Sequence, residues 1–195
     1  MPSLDFVLLT DNIEPYNLGL VTYANKALMW DSNSRKLPDF TCHFSFSIDT
    51  PSSMGGDGIV FVGFQIPLNS CGGYLGLFNT TTKYSSSSMI ISMEFDTLKN
   101  DWDPKNVGAH VGININSVSS TVYTPWNASS YIDDTADVLI TYNSTTKNLS
   151  VSWRYQITQN PQERSIFSHT IDLREILSNW VTIGFLACTR GYCGQ

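Results

Sequence analysis

Apolar and polar residues alternate with a period of two in several separate runs: FTCHFSFSI (residues 40–48), ADVLITY (136–142), LSVSWRY (149–155) and VTIGFLA (181–187). Neighbouring side chains on an extended chain leave opposite faces, so each run predicts a half-buried β-strand. Between the runs lie clusters of Asn, Ser, Gly and Pro, such as TPSSMGGDG, NSTTKN and TQNPQE, which predict turns. No stretch sustains a helical period, and only IDLREIL (171–177) predicts a short helical turn. The serine run 85–88 reads as a loop, and no internal repeat is present. Many short strands joined by polar turns predict an all-β chain, a β-sandwich or jelly roll.

Composition sets the outer bounds. With 195 residues and 42% hydrophobic content the chain can bury a sizeable core, and residues 1–195 read as a single domain. A net charge of −6 argues against nucleic acid and against an anionic membrane surface, because no basic patch stands ready to neutralise phosphates. No apolar run is long enough to cross a bilayer, and MPSLDFVLLTDN lacks a basic segment ahead of an apolar core. Four sequons, at Asn79 (NTT), Asn127 (NAS), Asn143 (NST) and Asn148 (NLS), nevertheless predict a secreted glycoprotein.

Four cysteines fit an oxidising compartment without framework spacing. Cys42 alternates with Phe40, Phe44 and Phe46, so it reads as a small buried hydrophobe. Cys188 and Cys193 could close a small loop, or one of them could reach Cys71; they lack the CxxC spacing of zinc sites.

Most of the chemistry lies in residues 89–120, MIISMEFDTLKNDWDPKNVGAHVGININSVSS. Glu94 and Asp96 stand two apart in a β-like run, so both carboxylates leave the same face. Two such anions repel unless a proton or a cation sits between them. Asn100, Asp103 and His110 follow on a turn and at the start of the next run. Carboxylates, an amide oxygen and backbone carbonyls suit a hard cation such as calcium, while the imidazole suits a transition ion beside it. His43 lies on the polar side of its strand and reads as solvent-facing, and His169 stands alone in SIFSHTID, so neither makes a triad; the Trp residues read as packing, with Trp102 and Trp126 placed to steady the acid-rich loop.

The ordered series VTYANKALMWDSNSRKLPDFTCHFSFSID, GDGIVF, GGYLGLFN, EFDTLKNDWDP, HVGININSVSS, VYTPWNASS, LITYNSTTKNLSVSWRY and IDLREILSNWVTIGF resembles the legume-type lectins. Within that family it is most similar to the extracellular lectin domains of plant receptor-like kinases, over nearly the whole chain. The resemblance implies a concanavalin A-like jelly roll with a flat back sheet, a curved front sheet and a glycan bound above two metals. Glu94, Asp96, Asp103 and His110 would hold Mn2+ or another transition ion. Ca2+ would take Asp96, Asn100, Asp103 and the carbonyl of Leu98, and Ser120 would hold a metal-bound water. Asp57, Gly73, Leu98 and Asn100 would meet the sugar, with a cis peptide between Gly56 and Asp57. The implied setting is extracellular, at the plasma membrane, with a homo-oligomer through the back sheet as a further expectation.

Against the family pattern, the strand after Asp57 is expected to be shortened. Leu98 replaces an aromatic ring that many members stack on the sugar. The chain reads as incomplete at both ends, ending at CTRGYCGQ without the final strand, so an unpaired sheet edge is expected. These departures set up an alternative, a lectin scaffold that has lost sugar binding and serves as a protein or apolar-ligand interaction domain. A jelly-roll glycoside hydrolase is the weaker rival. Retaining hydrolysis needs two carboxyls about 5–5.5 Å apart, but Thr97, Leu98 and Lys99 follow where such enzymes carry a further Glu. The chain itself is therefore read as a non-enzyme.

Overall fold

The computed structural model describes residues 7–10, 17–48, 58–64, 74, 76–131, 133–157 and 165–188. The strands are β1 (Leu18–Thr22), β2 (Ala27–Leu28), β3 (Phe40–Ser47), β4 (Gly58–Phe64), β5 (Ile91–Asp96), β6 (His110–Ile115), β7 (Val122–Pro125), β8 (Thr135–Asn143), β9 (Asn148–Tyr155), β10 (Ser165–Thr170) and β11 (Trp180–Cys188). Among the described residues a short α-helix, α1 (Leu173–Ile176), falls where IDLREIL predicted a helical turn. The strands form two antiparallel sheets: seven strands in the order β1-β11-β4-β5-β6-β7, with β2 also on β11, and four in the order β10-β9-β8-β3.

Alternation is strict where one face looks outward. In β8 the residues Ala136, Val138, Ile140 and Tyr142 are buried, and those between them are half-buried. Between the sheets these side chains meet Phe61, Met93, Phe95, Val111 and Ile113 of the large sheet. Aromatic edges join the layers, with Phe46 against Phe95 at 4.9 Å and Phe44 against Phe185 at 4.7 Å. Such offset and edge-on ring pairs are favoured beyond the area they bury.

The centre of the large sheet behaves differently. A second apolar cluster, Val60, Val62, Leu77, Phe78, Ile90, Val118 and Leu186, covers its other face. Both faces of β4 and β5 are therefore dry, and all six residues of β5 are buried. This explains why IVFVGF carries apolar residues at consecutive positions rather than alternating ones.

Two expectations change, and a disulfide at Cys188 agrees with a third. The strand after Asp57 is not cut short: β4 continues through Val62 to Phe64, pairing with β5 from Gly58 to Gly63 and with β11 from Gly58 to Phe64. Its length is set by partners on both sides, which a local reading of VGFQIP does not contain. Cys42 is half-buried with a free thiol, because β3 is an outer strand among the described residues and has only β8 beside it. Cys188, at the end of β11, is buried and disulfide-bonded; its partner lies outside the described residues.

Ile140 is fully buried whereas His43 on β3 faces solvent. Ile140→Ala is expected to lower the unfolding free energy in urea by about 2–5 kcal/mol, and His43→Ala to stay within about 0.5 kcal/mol of the parent. Equal effects from the two would contradict this packing.

Candidate metal centre

Strands β5 and β6 run side by side in a register that sets Asp96 opposite His110, Glu94 opposite Gly112 and Ser92 opposite Asn114. Ile91, Met93 and Phe95 enter the core between the sheets, so alternation turns Ser92, Glu94 and Asp96 onto the other face. Burial there is nearly complete: Glu94 is 2% exposed, Asp96 3% and His110 0%. Residues 97–109 connect the strands and carry Leu98, Asn100 and Asp103 back over the sheet end.

Hydrogen bonds hold this loop in place. Leu98 N donates to Asp96 Oδ1 at 2.7 Å and Asn100 N donates to Asp103 Oδ2 at 2.5 Å. The Asn100 side-chain amide reaches the Leu98 carbonyl at 3.5 Å. Ser119 Oγ donates to the Trp102 carbonyl at 2.9 Å, and the Trp102 ring stacks on Tyr74 at 4.9 Å. Trp126 is buried edge-on against Phe95, behind the same sheet end. Asp96, Asp103 and His110 each offer one ligand atom, all within 4.8 Å of one another.

Glu94 joins the cluster through Oε1, which accepts from Ser120 Oγ and lies 3.3 Å from His110 Nε2. His110 Nε2 also lies 3.2 Å from Ser120 Oγ, and its Nδ1 lies 3.3 Å from the Gly108 carbonyl. Gly112 leaves room for this: a Cβ there would stand 2.2 Å from Ser120 Oγ and 2.9 Å from Glu94 Oε1.

Three acids converge here on one imidazole. Burial, then the Glu94 charge, pushes the Asp96 carboxyl up to about 8. Burial raises Asp103 in the same way. Burial disfavours a charged His110, but the Glu94 hydrogen bond and the surrounding carboxylates more than offset it and raise the imidazole. The arrangement needs an added positive charge, a proton or a cation. Several hard oxygen donors and one imidazole within a few ångströms fit a divalent cation, and a transition ion on the histidine side.

The structure thus brings Glu94, Asp96, Asp103, His110 and Ser120 together, and places Leu98 and Asn100 on the loop against them. Asp57, Gly73 and the Gly56–Asp57 peptide lie outside the described residues. Gly58, which follows Asp57, is opposite Asp96. Two residues on this face were not anticipated, Gly112 and Asn114. They share a face with His110 at period two, but neither carries charge to mark it. Of the sequons, Asn127 and Asn143 are exposed and Asn79 and Asn148 half-buried. The Asn79 carboxamide oxygen organises a turn, accepting from Thr81 N and Thr82 N at 2.8 and 2.9 Å.

A jelly-roll sandwich with a buried acid and histidine cluster at a sheet end defines a class of protein, and similarity to known sequences narrows it. Residues 2–194 match the legume lectin domain, and the chain belongs to that family. It is 46% identical over 178 residues to the L-type lectin-domain containing receptor kinase IX.2 of Arabidopsis thaliana, covering 87% of this chain and 26% of the kinase. The chain thus spans about a quarter of that relative's length. Lectin 10 of Medicago truncatula is 38% identical, over 90% of this chain and 63% of its own. Among solved structures, lectin II from Ulex europaeus superposes with a TM-score of 0.83 at 34% identity, over 94% of this chain and 78% of that one. Lectin I from the same plant, in complex with the methyl glycoside of α-L-fucose, has a TM-score of 0.82 at 33% identity, over 94% and 77%.

Two predictions follow from the geometry. In chelator, the melting temperature is expected to fall as pH rises from about 4 to 8. Asp96, Asp103 and His110 are all raised in the folded chain, so folding retains protons that unfolding releases. That stabilisation is complete below the unfolded carboxylate value of 3.8 and lost as pH passes about 8. Divalent cation at pH 8 should restore it, and a melting temperature that climbs across the window in chelator would contradict the cluster's electrostatics. Gly112→Ala should weaken divalent-ion binding by about 10-fold or more in calorimetry, because the methyl group displaces Ser120 and Glu94.

Proposed function

We propose that this chain is a metal-dependent glycan-binding domain, acting outside the cell as the sensing part of a plant receptor-like kinase. The observation that carries this reading is the convergence of Asp96, Asp103 and His110 within 4.8 Å, in a chain of the legume lectin family. Glu94, Asp96, Asp103 and His110 would hold manganese or another transition ion. Asp96, Asn100, Asp103 and the Leu98 carbonyl would hold calcium, and Ser120 a metal-bound water. The ions would supply positive charge to the carboxylates and so fix residues 97–103.

The chain's own residues would do the binding. Asn100, held by its loop, would present its amide to a sugar hydroxyl; Asp57 would accept hydroxyl hydrogen bonds, and Gly73 would offer a backbone N–H where no side chain blocks approach. Leu98 would lie along the apolar face of the ring. The exposed sequons at Asn127 and Asn143 and the receptor-kinase relatives support an extracellular, glycosylated setting. Association of copies through the back sheet belongs to the same proposal.

Leu98 favours a second reading, a scaffold that holds ions but has lost sugar binding and contacts a protein or apolar ligand. The test is a glycan array with calcium and manganese present, repeated in chelator and with Asp96→Asn. Glycan binding that falls by at least about 10-fold in both cases supports the lectin reading. Ion uptake with no glycan bound moves the assignment to the scaffold. Chelator-insensitive binding, or release of product from an oligosaccharide, overturns both.

A further inference from the structure

Asn114 lies four residues beyond His110 on β6 and shares its face. Its Nδ2 donates to Glu94 Oε2 at 2.9 Å and to the Val118 carbonyl at 3.3 Å. With both acceptors on the nitrogen side, the carboxamide has one orientation, and Oδ1 points away from them. The two oxygens of Glu94 are thereby given different work. Oε2 is held by the amide, while Oε1 faces His110 and Ser120. The terminal torsion of a glutamate is broad and two-fold, and the amide holds the Oε2 end of that carboxylate while Ser120 and His110 meet the Oε1 end.

Asn114 Oδ1 and Ser92 Oγ are both buried with no hydrogen-bond partner among the protein groups. They belong to residues directly opposite in register, 2% and 1% exposed. Val62, on the far side of Ser92, and Val118 belong to the apolar cluster covering this face and offer no side-chain donor or acceptor. The two orphaned atoms are complementary: the hydroxyl can donate, and the amide oxygen can only accept. A single water accepting from Ser92 and donating to Asn114 satisfies both, and a polar, enclosed pair of this kind is where buried waters are held.

We infer that Asn114 is a positioning residue of the ion site, fixing Glu94 so that Oε1 is the ligand oxygen, and that Asn114 is itself fixed by a buried water shared with Ser92. An amide suits the task because it donates to the carboxylate without adding another anion to a cluster that already holds three acids. The inference rests on the reading of Glu94 as an ion ligand.

The test titrates Mn2+ by calorimetry into the whole chain and into Asn114→Leu and Ser92→Ala, records the paramagnetic resonance spectrum of the bound Mn2+, and determines crystal structures of all three without metal. Asn114→Leu is expected to bind Mn2+ about 10–100-fold more weakly, with a changed line shape and with Glu94 turned away from His110 and Ser120. Ser92→Ala keeps the Nδ2 contacts, so it should lose less affinity and keep the Glu94 orientation. If Asn114→Leu does not fold, Asn114→Ala removes the same contacts without the bulk. Unchanged affinity and line shape in the Asn114 variants, or wild-type crystals in which Ser92 and Asn114 share no water, would overturn the inference. A wild-type chain that takes up no Mn2+ refutes the ion reading instead, and the metal-free structures still decide whether Asn114 sets the Glu94 carboxylate.

Discussion

Glu94 and Asp96 leave the same face of one strand into a nearly dry space, and Asp103 is folded back against them. Bringing like charges together out of water is unfavourable unless something positive joins them, and the imidazole of His110 supplies at most one charge. The rest of the molecule is arranged around that constraint. The sheet end is buried from both sides, the connecting loop caps the acids with backbone N–H groups, and a hydroxyl and an amide take up the Glu94 oxygens.

Packing gives the cluster its rigidity. The centre of the seven-stranded sheet is held between the main core and a second apolar cluster, so β5 and β6 have little freedom to move apart. Glycines stand where a side chain would intrude. A Cβ on Gly112 would strike Ser120, and one on Gly58, whose φ is +134°, would come within 2.2 Å of the Phe95 carbonyl. The second contact lets β4 approach the end of β5 closely, beside Asp96. The same close strand pairing that seats the sheet end therefore also brings the acids together.

The fold was legible wherever a strand has one wet face. Residues 136–142 and 149–155 alternate because one face of each strand packs into the core while the other, apart from Ser152, is half-buried or exposed, and the structure lengthens those strands by a residue or so at their ends. It was less legible where both faces are dry. Val62, Gly63 and Phe64 looked like the exit from a shortened strand, yet long-range pairing with β5 and β11 keeps them extended. Within the candidate site, the pairing of Glu94 and Asp96 follows from spacing alone. Asp103 and His110 were candidates by residue type, but that they fold back onto Glu94 and Asp96 was implied only by the family resemblance, since the span of the loop says nothing about where it folds. Asn114 and Gly112 escaped notice because an amide and a glycine carry no sign of the chemistry they support. Both nonetheless sit at period two from His110.

The central claim is that the buried acids exist to hold cations. Metal analysis of the folded chain after equilibration with calcium and manganese, followed by dialysis against buffer free of both, tests it directly. About two ions retained per chain, removed together by chelator, is the result expected of a site with separate hard and transition-ion positions. A folded chain that retains no ion after the same treatment would contradict the account.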